Sequence, residues 1–576
     1  MPSSLPSNPG STARSAAGSA TGSIRDSATG SARGRTNDVA DGRRRSSVEV
    51  AAALLCVLVL AAACSSSGPK DSAGISTSLK PQTTDAPGGA LRPLHATRGT
   101  DARVRDDQGR QVLLRGVNLN VLGDYYQANA DYPTVIPATD ADWAEMQSDG
   151  IDVVRLLLSW SSLEPTRGTI DQDYLKRVHD AVDEAKAHDI YVVLDMHQDA
   201  YGKFSPTPAG TTCPDGSKPS IGWDGAPEWA TITDGADTCA AAGVRELSPA
   251  VMKAFENFYL NTDGIQDELV KTWASVAQDF AADPTVAGYD LFNEPNWGAD
   301  ASTSGARLGA FTQKAITAIR TAETAGGGFS HIVFFEPVVL FPGDGTLVPP
   351  SSVTDANVVF APHNYNDSIQ GGTIREGFEA AAKGAATYGT TFWIGEYGWF
   401  GTPADDAAKV ASYAALEDEY RVGGTWWQWK QACGDPHSVG SQGGTPPDEL
   451  IHFHRTDCPG DVNKGPIAEW LPVLSRAYPR SAPGTLVHLS SDPATGALSI
   501  VGSVGDASPD ARLDLWIPDR GQGEPKLSGT GLGAVDVHQV DGGYRLLVTV
   551  TGCYTVDYAP GQTASTTPTT GCAQVP

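Results

Sequence analysis

The stretch VAGYDLFNEPNWG, Val286–Gly298, decides how this chain folds. It starts as an apolar run of strand length and stops in Asn293, Glu294 and Pro295. A short run that is apolar on both faces fits a strand covered on both sides, as in a parallel sheet. Seven more runs of this kind flank it: VLLRGVNL (112–119), IDVVRLLLSW (151–160), IYVVLDMH (190–197), HIVFFEP (331–337), NVVFAPHNY (357–365), TFWIGEYG (391–398) and GGTWWQWK (423–430). Helical patterns such as DYLKRVHDAVDEAKAHD (173–189) and TQKAITAIRTAETAG (312–326) lie between most of them. Eight strands alternating with helices predict an α/β fold, the (β/α)8 barrel. A doubly wound sheet is the alternative, but no Gly-rich phosphate turn follows the first strand.

A barrel of this kind gathers its chemistry at the C-terminal ends of its strands. Those ends carry His197 and Asp199 (third), Asn293 and Glu294 (fourth), His363 and Tyr365 (sixth), Glu396 (seventh), and Trp427 with Trp429 (eighth). Arg155 sits in the middle of the second run, where a buried ionic role is expected. Glu294 and Glu396 are 102 residues apart, on strands four and seven, so their side chains can face each other across one pocket. Either Glu alone reads as a solvated loop residue. Together they are what glycosidic cleavage needs: one carboxyl protonates the leaving oxygen, and the other attacks the anomeric carbon or activates water. The expectation is that Trp297 keeps Glu294 protonated, while Arg155, His363 or Tyr365 keep Glu396 ionised. Glu336 reads as an outer structural acid, and Lys430 and His437 are not placed in the site.

The NEP after a fourth strand, GEYG at a seventh, an Arg on the second and PHNY on the sixth resemble glycoside hydrolase family 5. LDMHQDAYG (194–202), GAPEWAT (225–231) and the C-terminal region resemble its endoglycoceramidase branch more narrowly. That resemblance implies an enzyme releasing an intact glycan from a lipid aglycone with retention of configuration. Glu294 would be the acid/base and Glu396 the nucleophile, with no metal or cofactor. It also implies that Asn293, His197, Asp199, Trp229, Tyr365 and Trp427 line the glycone subsite, with Arg155 and His363 completing the substrate-binding set. Where such enzymes carry a Lys after the first strand, this chain reads NLNVLGDYYQANADYP (118–133), without one. The alternatives are a β-glucosidase, diglycosidase or endoglucanase on soluble glycosides, or a non-catalytic carbohydrate-binding lipoprotein.

The rest of the chain sets context. Residues 1–64 comprise a Ser/Ala/Gly/Arg-rich segment followed by a signal-like apolar run, Val50–Ala63, ending at Cys64. Small residues running into a Cys resemble a bacterial lipoprotein signal, with lipidation at Cys64 or plain cleavage as the two outcomes. Export to the outer face of the membrane or secretion follows as the expectation. Residues 65–95 read as a linker, 96–480 as the hydrolase domain, and 481–576 as an antiparallel β-sandwich with a tail, from short alternating runs such as ARLDLWIP and YRLLVTVTG. Six cysteines fall into three near couples, Cys213 with Cys239, Cys433 with Cys458, and Cys553 with Cys572; they read as disulfides. The long segment 198–285 is expected to wall the pocket, its helix 248–262 facing either the barrel or a lipid. A net charge of −27 argues against nucleic acid. The expected partners are a glycolipid or oligosaccharide and, through the anchor, a membrane; a monomer is expected.

Overall fold

The computed structural model describes residues 90–339, 341, 347–440, 444–505 and 511–563, and the backbone of 565–567. These fall within the compact unit that spans 81–576. Cys64, the signal-like run and Cys572 lie outside the described residues.

Eight parallel strands form one sheet: β1 (Arg115–Leu119), β2 (Val153–Ser159), β3 (Tyr191–His197), β4 (Val286–Asp290), β5 (Ile332–Phe335), β6 (Val358–Phe360), β7 (Ile394–Tyr397) and β8 (Gly424–Trp426). Their order is β6-β5-β4-β3-β2-β1-β8-β7. A parallel bridge between Phe360 and Phe392 joins the two ends, with Phe360 N–H donating to Thr391 O at 3.1 Å and Trp393 N–H to Phe360 O at 3.0 Å. The arrangement fits a (β/α)8 barrel.

Strand alternation explains which residues face inward. Along β2, Val154, Leu156 and Leu158 belong to the large apolar layer shared with the helices. Val153 joins an inner cluster with Val193, Phe334, Val359 and Trp393, and Leu157 joins an upper one with Tyr365 and Trp427. Arg155 lies between these two inner positions, fully buried. A cation has been placed inside the barrel, below the strand ends.

Helices α1 (Asp140–Ser148), α2 (Gln172–Ala187), α3 (Pro249–Tyr259), α4 (Ile265–Asp279), α5 (Ala301–Ala325), α6 (Ile374–Tyr388) and α7 (Pro403–Tyr420) alternate with the strands. Helix α6 starts at a reciprocal cap in which Thr373 and Glu376 satisfy each other's backbone N–H, a device worth about 1 kcal/mol. Between β5 and β6 the described residues hold a 3-10 turn, Pro350–Ser352, and no α-helix. In the long β3–β4 connection Cys213 and Cys239 are bonded, and Cys433 is bonded to Cys458 after β8. Helix α3 packs inward: Phe255 and Phe258 are fully buried, with ring centroids 5.8 and 5.2 Å from Phe292. That face is core, so it is not left for lipid.

The C-terminal strands are β9 (Tyr478–Ala482), β10 (Thr485–Ser491), β11 (Leu498–Ser503), β12 (Arg512–Pro518), β13 (Ser528–Val540) and β14 (Gly543–Tyr558). Two packed sheets were expected here. Among the described residues the hydrogen bonding runs through one ten-stranded sheet, because β14 is long enough to serve two neighbours in turn. It pairs with β12 along Gly543–Thr549 and with β11 along Cys553–Tyr558. Three short strands from 94–112 and a fourth, Ser565–Thr567, which pairs with β13, complete the sheet.

This sheet rests on the barrel at the N-terminal ends of the strands. Gly150, just before β2, has φ +75° and lies where an added Cβ would come 2.2 Å from the Trp516 indole nitrogen. Tyr478 Oη donates to Gly150 O at 2.8 Å, and Arg480 to Asp189 O at 2.6 Å. The opposite end of the barrel is left for the site.

Candidate active site

A cavity of about 450 Å³ lies at the C-terminal ends of the strands. Of the residues expected in the site, Glu294, Glu396, Asn293, His197, Asp199, Tyr365 and Trp427 line it. One oxygen of Glu294, one of Glu396 and a ring nitrogen of His363 lie within 4.8 Å of one another. These three have the donor types of a metal site, but each is already engaged by protein partners.

Both oxygens of Glu396 have a donor: Arg155 Nη1 at 2.8 Å and Tyr365 Oη at 2.9 Å. Glu294 stands just past β4 with φ +38°, in the left-handed region that costs a non-glycine residue about 1–3 kcal/mol. Its backbone N–H donates to Glu336 Oε2 at 2.9 Å, which holds that conformation. Its carboxylate faces His363 Nδ1 at 2.9 Å and Arg245 Nη2 at 3.7 Å.

Arg155 is the hub beneath them. It reaches Asp195 at 2.9 Å, Asp290 at 3.0 Å and Glu336 at 3.1 Å besides Glu396, and its Nη2 donates to Asn293 Oδ1 at 2.9 Å. Asn293 in turn donates to Gln198 O at 2.9 Å, so its amide orientation is fixed. The buried ionic role expected of Arg155 beside Glu396 is what the structure shows, whereas its place in the substrate-binding set is corrected: at zero exposure it positions Glu396 and does not touch substrate. His363 is likewise outside the cavity lining and sits between the two carboxylates, 3.4 Å from Glu396 Oε2. Trp229 is also corrected. Its indole N–H donates to Glu164 O at 3.0 Å and its ring packs edge-on against Trp160, away from the cavity.

Protonation departs from the expectation too. Burial, the largest influence on both acids, favours their neutral forms. For Glu294 the His363 hydrogen bond and charge, with Arg245, outweigh it and hold the carboxyl below its usual range. For Glu396 burial prevails over His363 and Arg155, and its pKa is raised. Burial lowers His363, but the charges of Glu336 and Glu396 and its bonds to Glu294 and Glu336 carry it well above 6.5. A 2.9 Å bond between His363 Nδ1 and Glu294 Oε1 therefore holds one proton that either partner can carry. An imidazolium–carboxylate pair and an imidazole–carboxylic acid pair differ only in its position.

Sequence reasoning missed one wall. Arg245, from the β3–β4 connection, and His437, after β8, line the cavity on either side of Asp199, at 2.6 and 3.1 Å. His437 Nδ1 is held by Asp435 at 2.8 Å. Neither sits on a strand end, so strand pattern gave no signal for them. The His197 ring stacks on Trp427 with centroids 5.5 Å apart, while Trp429 turns to the helix shell and donates to Asp142 at 3.0 Å. Ile369, Phe400, Leu450 and Ile451 form an apolar part of the lining, and Ile369 is 71% exposed.

Residues 105–433 match the cellulase family, glycosyl hydrolase family 5. The chain is 30% identical over 291 residues to endoglycoceramidase I of Rhodococcus hoagii, covering 47% of this chain and 53% of that protein. It is 30% identical over 215 residues to an endoglycoceramidase of Cyanea nozakii, covering 33% and 39%. The chain thus spans about half or less of the length of these curated relatives. Among solved structures, an endogalactoceramidase superposes with TM-score 0.75 at 42% identity, covering 81% of this chain and all of that one. Endo-glycoceramidase II from Rhodococcus sp., in complex with ganglioside GM3, superposes with TM-score 0.59 at 25% identity, covering 80% and 100%.

Proposed function

We propose that this chain, which belongs to the cellulase family of glycosyl hydrolases, family 5, and is a glycoside hydrolase, cleaves the bond between a glycan and a lipid aglycone with retention. The observation that carries the reading is the close pair. One oxygen of Glu294 and one of Glu396 lie within 4.8 Å. Retention needs carboxyls about 5–5.5 Å apart, whereas inversion needs about 6.5–9.5 Å to admit a water.

Glu396 is the nucleophile. Arg155 and Tyr365 hold one oxygen each, and its raised basicity favours attack on the anomeric carbon once it is ionised. Glu294 delivers the proton of the Glu294–His363 bond to the leaving oxygen as the glycosidic bond breaks. It takes that proton back from the water that later releases the sugar from Glu396. Asn293 is placed to donate its second amide hydrogen to a sugar hydroxyl, and the Trp427 face supports the ring. On this account kcat/KM rises as Glu396 ionises and falls at the pH where the Glu294–His363 pair loses its proton.

The lining holds both charged and apolar side chains, which suits a lipid-bearing substrate. His197, Asp199, Arg245 and His437 supply charge, and Ile369, Phe400, Leu450 and Ile451 apolar surface. The names of the relatives point the same way. The two disulfides agree with an exported protein, and lipidation at Cys64 would place the cavity near its substrate. Hydrolysis of soluble glycosides is the rival, favoured by the lysine-free segment 118–133. The intact carboxylate pair and the family leave no ground for the non-catalytic alternative.

The test incubates residues 70–576 with glucosyl- and galactosyl-lipids, ceramide oligosaccharides, cello-oligosaccharides and flavonoid diglycosides, with products identified by mass spectrometry. Intact glycan released from lipid is expected, and Glu396→Gln is expected to lower the rate by about 10³-fold or more. Cleavage of the soluble glycosides alone would keep the mechanism and replace the substrate.

A further inference from the structure

We infer that Arg245 is a positioning residue for this reaction, its single guanidinium orienting Asp199 towards the sugar while lying against Glu294. The inference rests on the glycosidase reading above and adds a role for a residue on the β3–β4 connection rather than on the barrel.

The geometry has three parts. Arg245 Nη2 lies 2.6 Å from Asp199 Oδ1 and 3.7 Å from Glu294 Oε2, so one group touches both an acid of the polar wall and the proposed proton donor. The guanidinium is not free to wander. Its carbon lies 4.2 Å from the Trp223 ring centroid, Nε pairs with Glu246, and Glu246 O accepts from Asn296 two residues beyond Glu294. Asp199 is held just as firmly from its own side. Its N–H donates to Asp224 O at 2.9 Å, and the next two residues, Ala200 and Tyr201, have φ of +47° and +70°. Two consecutive left-handed non-glycine residues are strain that the surroundings must enforce, and such strain gathers where a side chain has to be aimed.

The chemistry follows from the charges. Asp199 is kept ionised, well below the usual carboxylate range, because Arg245, His437 and His197 overcome the burial that would neutralise it. Its Oδ2 is buried against two imidazoles, His437 at 3.1 Å and His197 at 3.6 Å. Asp199 lines the cavity with its charge held in place, so the carboxylate is suited to accept from a sugar hydroxyl at its rim. Arg245 takes the other oxygen and so fixes the rotation of the carboxylate. Glu294 is faced by Arg245 and Asp199 from this wall, by His363 and Tyr365 after β6, by Glu336 after β5 and by Glu396 on β7. Arg245 is the cation among them that comes from outside the barrel, and its charge favours loss of the proton from the Glu294–His363 pair.

The experiment compares wild type, Arg245→Gln and Arg245→Lys on the glycoside of the panel that wild type cleaves fastest, across pH, with Tm measured for each. Arg245→Gln is expected to raise KM about tenfold and to move the alkaline limb of kcat/KM up by about one pH unit. Arg245→Lys keeps the point charge and loses the fork, so it should restore the wild-type limb while KM stays raised. A merely structural role would lower Tm and leave the limb in place in both variants. An unmoved limb in Arg245→Gln overturns this inference alone. A wild type inert on the whole panel overturns the glycosidase reading and this one with it.

Discussion

Two buried arginine clusters sit at opposite ends of the barrel, and they are built on different ratios. At the end covered by the C-terminal sheet, Arg545 grips Asp514 at 2.8 and 2.5 Å and Asp189 at 2.5 Å, with Arg480 also on Asp189 and Arg110 on Asp106. Cations and carboxylates there are nearly matched, around a cavity of about 50 Å³. At the open end a single Arg155 serves Asp195, Asp290, Glu336 and Glu396. A matched cluster pairs most of its charges and serves docking. An unmatched one leaves protons to be shared among acids and histidines, which is what acid/base chemistry uses. The ratio, more than burial, separates the functional cluster from the structural one.

The comparison breaks hardest at Arg155. Arg155→Met leaves several buried acids without their cation, so a loss of about 3–5 kcal/mol in stability is expected together with at least about 10²-fold in kcat. Steady-state kinetics on the folded fraction, with urea unfolding beside them, would check both; full activity would end the idea of a shared hub. Arg545→Met removes the matched partner of Asp514 and Asp189. About 3 kcal/mol of stability should go, with kcat/KM of the folded protein unchanged. A fall in kcat/KM there would mean the C-terminal sheet acts on the site.

The smallest effect is shared by both ends and appears in pH. His197 is carried up to about 10 and His437 to about 9 by their carboxylate partners, against burial, and burial pushes Asp224 and Asp152 up to about 7. Folding therefore retains protons that the unfolded chain releases, and the stability this gives is lost as pH rises through the folded-state values. Asp199 and Asp514, held low, are ionised throughout and add no slope. Tm is expected to fall by about 5 °C or more between pH 6.5 and 9. A flat profile would mean these groups titrate alike in both states.

The strands were readable because each is a continuous apolar run, and a barrel buries strands on both faces. The pair Glu294 and Glu396 was readable for a related reason. An acid that ends such a run is solvated, structural like Glu336, or functional, and the two on strands four and seven meet. Trp229 misled because a motif places a residue in sequence, while its rotamer is set by Trp160 and Glu164, far along the chain. Arg245 went unread and His437 was left out for the opposite reason, since single helical turns in long connections carry no period to read. The proton order of the two acids was equally out of reach, because it depends on which oxygen His363 faces.

The sequence by itself therefore determined the order of strands and helices, the apolar inner layers and the two acids at the strand ends, since these follow from local hydrophobic pattern. Only the tertiary structure decided the rest: that Arg155 lies below the cavity, that His363 bridges the acids, that a disulfide-braced loop brings Arg245 to Glu294, and that the C-terminal strands join one sheet at the far end. Each of those depends on distances between residues remote in the chain, and such distances are fixed by packing and charge rather than by neighbouring residues.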